Sequence, residues 1–181
     1  MEHSDQSLVQ LFKDEHHKEE AFTLIINKYK EKIYWHIRKL VIIHDDTDDI
    51  LQNVFIRIWK NLENFREESQ LYTWIYRIAT NEALTFLNSK KKKFFLPIVD
   101  YESQLANSLE SDEYFNGDAI QLKLQKAILT LPEKQRLVFN MKYFDEMKYE
   151  DMSEILNTSV GALKASYHHA IKKIEKFLEI D

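Results

Sequence analysis

Apolar residues recur at three- and four-residue steps through most of this chain, the spacing that gathers them on one face of a helix. One such stretch covers about 7–14 (Leu8, Val9, Leu11, Phe12), and a second covers about 19–42 (Phe22, Ile25, Ile26, Tyr29, Ile33, Ile37, Leu40, Val41). His16 and His17 lie in the break between them. Neighbours on a helix point about 100° apart, so the two read as surface residues and not as a metal pair. After the Ile43-His44-Asp45-Asp46 loop, Asp46 or Thr47 is expected to cap a third helix, with Asp48 and Asp49 in its first turn against the helix dipole. Its stripe is Ile50, Leu51, Val54, Phe55, Ile58 and Leu62, which leaves Asp49, Gln52, Asn53 and Arg57 outward. A fourth long helix follows the loop at 65–69. Leu71, Trp74, Ile75, Ile78, Ala79, Ala83, Phe86 and Leu87 form its stripe, leaving Tyr72, Thr73, Tyr76, Arg77, Thr80, Asn81 and Asn88 on the exposed side. The run Lys90-Lys91-Lys92-Lys93 begins where this helix is expected to fray.

The helical period then stops. Residues 94–117 mix Pro97, Gly117, serines and acids, the pattern of a flexible linker. Extended, these roughly two dozen residues reach about 80 Å. The period resumes beyond them, and Pro132 sits where a proline is tolerated, at a helix start, followed by Glu133, Lys134, Gln135 and Arg136. Last comes a helix over 149–157, a tight turn at Thr158-Ser159 and a second helix over 160–173. Ile155, Leu156, Val160, Leu163, Ala170, Ile171 and Ile174 are spaced to hold this pair together. The expected fold is all-α, with a helical unit over 1–93, an acidic linker over 94–117 and a second helical unit over 118–181.

Composition narrows the classes. Among 181 residues there are only two Gly and two Pro, which suits helices, and no Cys, which removes disulfides, thiolate metal sites and cysteine nucleophiles. No signal-peptide pattern is visible, and no apolar run approaches the roughly 20 residues that span a bilayer, so the expected compartment is the cytoplasm. No phosphate loop, Ser-His-Asp order or zinc-ligand spacing stands out, and the reading is of a protein that is not an enzyme and takes no cofactor. The net charge of −5 is unevenly placed. Residues 1–20 carry −4 and residues 100–119 carry −6, leaving +5 on the remainder, much of it in the Lys90–Lys93 run and in Lys164, Lys172, Lys173 and Lys176. Local basic patches in an acidic chain suit selective phosphate contacts without indiscriminate coating of DNA.

Two surfaces carry candidate chemistry. Ser159 caps the last helix, and Gly161 and Ala162 in its first turn allow a close approach to DNA. Lys164, Ser166, Tyr167 and His168 then supply donors and an aromatic edge near the bases, with Lys172 beyond them. On the fourth helix, Tyr72, Tyr76, Thr80 and Asn81 ending in lysines combine rings for stacking, groups for base edges and cations for phosphate, a mixture suited to unpaired DNA.

Taken together, Asp48-Asp49-Ile50-Leu51-Gln52-Asn53-Val54-Phe55-Ile56-Arg57-Ile58-Trp59, then Phe65-Arg66 leading to Tyr72-Thr73-Trp74-Ile75-Tyr76-Arg77-Ile78-Ala79-Thr80-Asn81, resembles the second conserved region of extracytoplasmic-function (ECF) sigma factors, bacterial initiation subunits of RNA polymerase. Leu131-Pro132-Glu133-Lys134-Gln135-Arg136 through the helix-turn-helix resembles their fourth region. The resemblance implies three surfaces. Asp48, Asp49, Gln52, Asn53 and Arg57 would dock on the coiled coil of the polymerase clamp. Arg66, Ser69, Tyr72, Tyr76, Arg77, Thr80, Asn81, Lys90 and Lys91 would hold the melted minus-ten promoter element. Ser159, Gly161, Lys164, Ser166, Tyr167, His168 and Lys172 would read the minus-thirty-five duplex. Implied partners are core polymerase, promoter DNA and an anti-sigma protein, with no direct insertion into a membrane. This chain departs from the family at Asn53, where Glu is frequent, and at Ser166-Tyr167-His168-His169, where arginines are frequent. Two other readings of the same residues are a helix-turn-helix regulator acting without polymerase and a helical adaptor that binds no DNA.

Overall fold

A short helix braced against two long ones opens the chain. The computed structural model describes residues 3–94 and 119–179, and side chains from Lys91 to Phe94 are not among those described. Helix α1 (Asp5–Lys13) starts at Ser4, whose hydroxyl accepts the Ser7 N–H at 3.1 Å. Helix α2 (Lys18–Val41) and helix α3 (His44–Asn61) meet at Ile42, a buried β-branched residue with φ 68°. A short 3₁₀ turn over Leu62–Asn64 leads to the 65–70 loop and helix α4 (Leu71–Phe94). Beyond the linker region come α5 (Ala119–Leu129), α6 (Glu133–Tyr143), α7 (Tyr149–Leu156) and α8 (Val160–Glu179). Every regular element among the described residues is helical, as the periodicity predicts.

Several boundaries differ from the reading of the sequence, among them the end of α8, which runs to Glu179 and not 173. α3 begins at His44 and not after Asp46 or Thr47, because the Ile43 carbonyl already accepts the Thr47 N–H at 3.0 Å and the Thr47 hydroxyl at 2.8 Å. Thr47 is therefore buried inside the helix, and Asp46 is turned toward Lys90. α4 does not fray at Lys90 but continues to Phe94, and α1 starts two residues earlier than its apolar stripe. The linker expected over 94–117 lies, apart from Phe94, outside the described residues.

The first four helices close on Phe12, Ile25, Ile33, Ile37, Ile58, Ile75 and Leu87, all fully buried. Phe12 and Phe22 point edge-on at Trp59, with ring centroids 5.3 and 4.9 Å apart, and so tie α1 to α2 and α3. In the second half, Ala127, Ile128, Leu131, Phe139, Ala170 and Ile174 form a smaller core between α5, α6 and α8. The larger core does not stop at the linker. Leu137, Val138, Met141, Met147, Met152, Ile155 and Leu163 join it, and α7 lies against α4.

Candidate nucleic-acid and polymerase interface

The polar face of α3 is open. Asp49, Gln52 and Asn53 are exposed, and Ile56 on the same side is half exposed. Two members of the expected docking row are engaged within the chain. Arg57 meets Glu82 of α4 at 2.7 Å while its side chain stays 61% exposed, and Asp48 meets His44 at 3.4 Å. Ile56 was not among the candidates drawn from the sequence. The signal was there, since it is an apolar residue on the polar side of α3, away from the Ile50–Val54–Ile58 stripe.

The 65–70 loop is fixed at its base. Phe65 is buried with its ring 5.2 Å from Trp74, and Glu67, in a left-handed conformation at φ 57°, accepts from Lys13 at 3.3 Å and Gln10 at 3.2 Å. Arg66 points into solvent and Ser69 is half-buried. Clefts flank the loop, one lined by Asn64, Arg66, Ser69, Trp74 and Arg77. Glu154 of α7 also lines that cleft.

The exposed side expected for α4 is largely covered. Asn81 and Asn88 are exposed and Arg77 is half-buried, but Thr73, Tyr76 and Thr80 retain only 1%, 3% and 1% of their surface. The reason is tertiary: Tyr76 and Thr80 lie off the apolar stripe but pack against His36 of α2, and Asp145 from the second half of the chain completes the same cluster. The Thr80 hydroxyl bonds His36 Nε2 at 2.9 Å, and His36 Nδ1 bonds Asp145, in the turn after α6, at 2.7 Å. Lys39 reaches the other Asp145 oxygen at 2.6 Å, and Asn140 donates to the Lys39 carbonyl at 3.2 Å. Burial raises the pKa of Asp145, but the hydrogen bond and charge of His36, together with Lys39, outweigh it and hold the carboxyl below its ordinary value. The rings of Tyr72 and Tyr76 sit 4.5 Å apart. Burial, then the nearby Asp145 charge, pushes Tyr72 up to about 12 and Tyr76 further in the same direction. Lys90 pairs with Asp46, and the Lys91 side chain lies outside those described.

The last helix pair matches its reading from the sequence more closely. Asn157 ends α7 in the left-handed conformation, and the Ser159 hydroxyl accepts the Ala162 N–H at 3.3 Å, capping α8. Ser159, Gly161, Ala162, Lys164, Ala165, His168 and Lys172 are exposed. Tyr167 is not a free edge. It is half-buried, stacked 5.8 Å from Phe139, and its main service is to hold α8 on α6, while Ser166 is partly covered. Lys164 lies 5.6 Å over the Tyr149 ring.

A helical bundle with an open polar helix, followed by a helix-turn-helix, is the architecture of a transcription initiation factor. The family model for sigma-70 region 2 matches residues 25–93, and that for sigma-70 region 4 matches residues 121–174. The ECF RNA polymerase sigma factor SigW of Bacillus subtilis is 30% identical over 168 residues, covering 88% of this chain and 90% of that protein. The ECF RNA polymerase sigma-E factor of Escherichia coli is 28% identical over 182 residues, 95% of this chain and 93% of its own length. The solved structure of CnrH in complex with the cytosolic domain of CnrY superposes with a TM-score of 0.70 over 98% of each chain at 19% identity. RpoE of Bartonella quintana, solved with the anti-sigma factor NepR, gives 0.69 over 88% of this chain and 98% of its own at 17% identity, so both share the fold. The chain belongs to the ECF sigma factors of the sigma-70 family, which direct core RNA polymerase to promoters and initiate transcription.

Proposed function

We propose that this sigma factor divides its work among three faces. Asp48, Asp49, Gln52, Asn53 and Arg57 of α3, with Ile56 among them, dock on the clamp of core polymerase. The 65–70 loop and α4, through Arg66, Ser69, Tyr72, Tyr76, Arg77, Thr80, Asn81, Lys90 and Lys91, receive the melted minus-ten strand. Stacking on Tyr72, the more exposed of the two tyrosines, and a pocket for one unstacked base offset the few kcal/mol that melting costs, so no nucleotide-driven step is needed. The first turns of α8, through Ser159, Gly161, Lys164, Ser166, His168 and Lys172, approach the minus-thirty-five duplex, Tyr167 acting there chiefly by fixing the helix. Residues 1–93 and 118–181 act as two units joined by 94–117. The chain works in the cytoplasm without catalytic activity of its own, under an anti-sigma protein of the kind solved with Bartonella RpoE.

The observation that carries this reading is the capped, open amino end of α8, where a small residue and a cation stand in solvent beside helix-terminal N–H groups. Among the described residues no helix is long and apolar enough to cross a membrane. The test is reconstitution with bacterial core polymerase on a promoter library. Specific transcripts should start only when the chain is present; transcripts independent of it, or no retention on core polymerase, would overturn the reading.

A further inference from the structure

We infer that α1 is a brace for the 65–70 loop: Gln10 and Lys13 hold Glu67 and so fix how the loop stands beside α4, which makes these three positioning residues for minus-ten recognition. This rests on the proposed assignment of the loop to the minus-ten strand.

The loop has little of its own to hold its shape. Phe65-Arg66-Glu67-Glu68-Ser69-Gln70 contains no glycine, yet the chain turns at Glu67 with φ 57°, a conformation that residues with a Cβ adopt rarely. Such a conformation persists where surrounding contacts over-determine it. At the two ends those contacts are apolar, since Phe65 and Leu71 are both buried. Between them, the loop's own ion pair, Arg66 with Glu68 at 4.0 Å, stands in solvent and holds little. Among the described residues, Glu67 is the one residue over 66–70 whose side chain bonds to another element. One of its oxygens accepts from Gln10 Nε2 at 3.2 Å and from Lys13 Nζ at 3.3 Å.

Gln10 and Lys13 lie one turn apart on the same edge of α1, and α1 is anchored before it reaches the loop. Phe12 is fully buried against Trp59. At the amino end, Asp5 takes the Tyr29 hydroxyl at 2.7 Å and Lys28 Nζ at 2.9 Å, both from α2. Lys18 adds a second tie at 3.0 Å, to Glu63 in the 3₁₀ turn that leads into the loop. Asp5, Gln6 and Val9 form one wall of a cleft whose other wall is the loop itself, so the seat of α1 sets the width of that cleft.

Charge points the same way. A loop assigned to a phosphate strand carries two carboxylates, Glu67 and Glu68, against Arg66. The grip turns Glu67 toward α1 and neutralises it with Lys13, which leaves Arg66 in solvent and Ser69 half-buried on the remaining surface. The Lys13 and Glu67 side chains are 36% and 34% exposed, and a pair in that setting adds little to global stability. Its consequence is therefore local, in the geometry of the loop and not in the melting of the bundle.

The test uses the full chain, the double variant Gln10→Met with Lys13→Met, whose straight side chains favour helix, and Lys13→Arg, which keeps a cationic donor. In hydrogen exchange read by mass spectrometry, the 66–70 amides should exchange faster in the double variant, with the α4 amides and the thermal midpoint as in the parent. Promoter opening is then measured with core polymerase, as permanganate reactivity of minus-ten thymines on a promoter recovered from the library reconstitution. At subsaturating holoenzyme the double variant should open about fivefold less promoter, as for a loop whose competent arrangement falls to roughly one fifth of its parental population. Lys13→Arg should match the parent in both measurements, and retention on core polymerase should be the same in all three. Parental exchange at 66–70 in the double variant, or faster exchange with parental promoter opening, would overturn the brace. A parent chain that is not retained on core polymerase, or that opens no promoter, refutes the minus-ten assignment instead, and exchange at 66–70 still decides whether α1 holds the loop.

Discussion

Gly161 sits in the first turn of α8, and a Cβ built there would meet nothing within 4 Å. The fold does not require a glycine at this position, and a glycine inside a helix is less stable than alanine by roughly 0.5–1 kcal/mol. Gly161→Ala should therefore raise the thermal midpoint of the free protein while weakening transcription from its own promoters, because the missing side chain is needed only when duplex DNA arrives. An unchanged promoter response in the stabilised variant would remove Gly161 from the DNA contact. Asn157 is a different case. It holds the left-handed residue that ends α7, where asparagine is tolerated and alanine is strained by about 1–2 kcal/mol. Asn157→Ala should lower stability by about 1 kcal/mol, seen in denaturant midpoints, and Asn157→Gly should leave it near the parent's.

Among the elements, α1 and α3 define opposite kinds of dependence. α1 is nine residues long, too short to hold itself as a helix in water, and its place depends on Leu8, Val9 and Phe12. Phe12 is fully buried against Trp59, so Phe12→Ala should cost about 3–5 kcal/mol in equilibrium unfolding, a large share of the stability of a domain this size. On α3 the exposed side does no packing work at Ile56. Ile56→Asp should abolish retention on core polymerase with the thermal midpoint nearly unchanged; normal retention would take Ile56 out of the docking face. The apolar stripes of α2, α3 and α4 were all legible from spacing alone, since each faces a neighbour within its own bundle.

For the molecule as a whole, the decisive feature is the larger core, which runs from the first helices into the second half. Asp145 couples the two, and the sign of its pH dependence follows from its lowered pKa. In the unfolded chain it titrates near 3.8; in the folded chain it stays ionised to lower pH. Its contribution is thus fully present above 3.8 and is lost as pH falls through the lower folded value. At neutral pH Asp145→Asn should be less stable than the parent by about 3 kcal/mol, the figure for breaking a buried pair, and the gap should close as pH is taken below the ordinary carboxylate range. Denaturant midpoints of both proteins across acid pH measure this, and a gap constant down to the lowest pH would exclude the carboxylate as its source.

The order of helices, their stripes, the capped turn before α8 and the resemblance to two sigma-70 regions were all available from residue spacing, because helices and turns are set by near neighbours in sequence. The fate of Tyr76 and Thr80 was not. Periodicity finds the apolar stripe of a helix, but it cannot say that polar residues beside the stripe will be buried around a histidine of a neighbouring helix, as Tyr76 and Thr80 are around His36. His36 shows the same limit: as a lone histidine on an apolar helix it gave no hint of a partner more than a hundred residues away at Asp145. Such pairing depends on where the later helices come to rest, and only tertiary packing decided that.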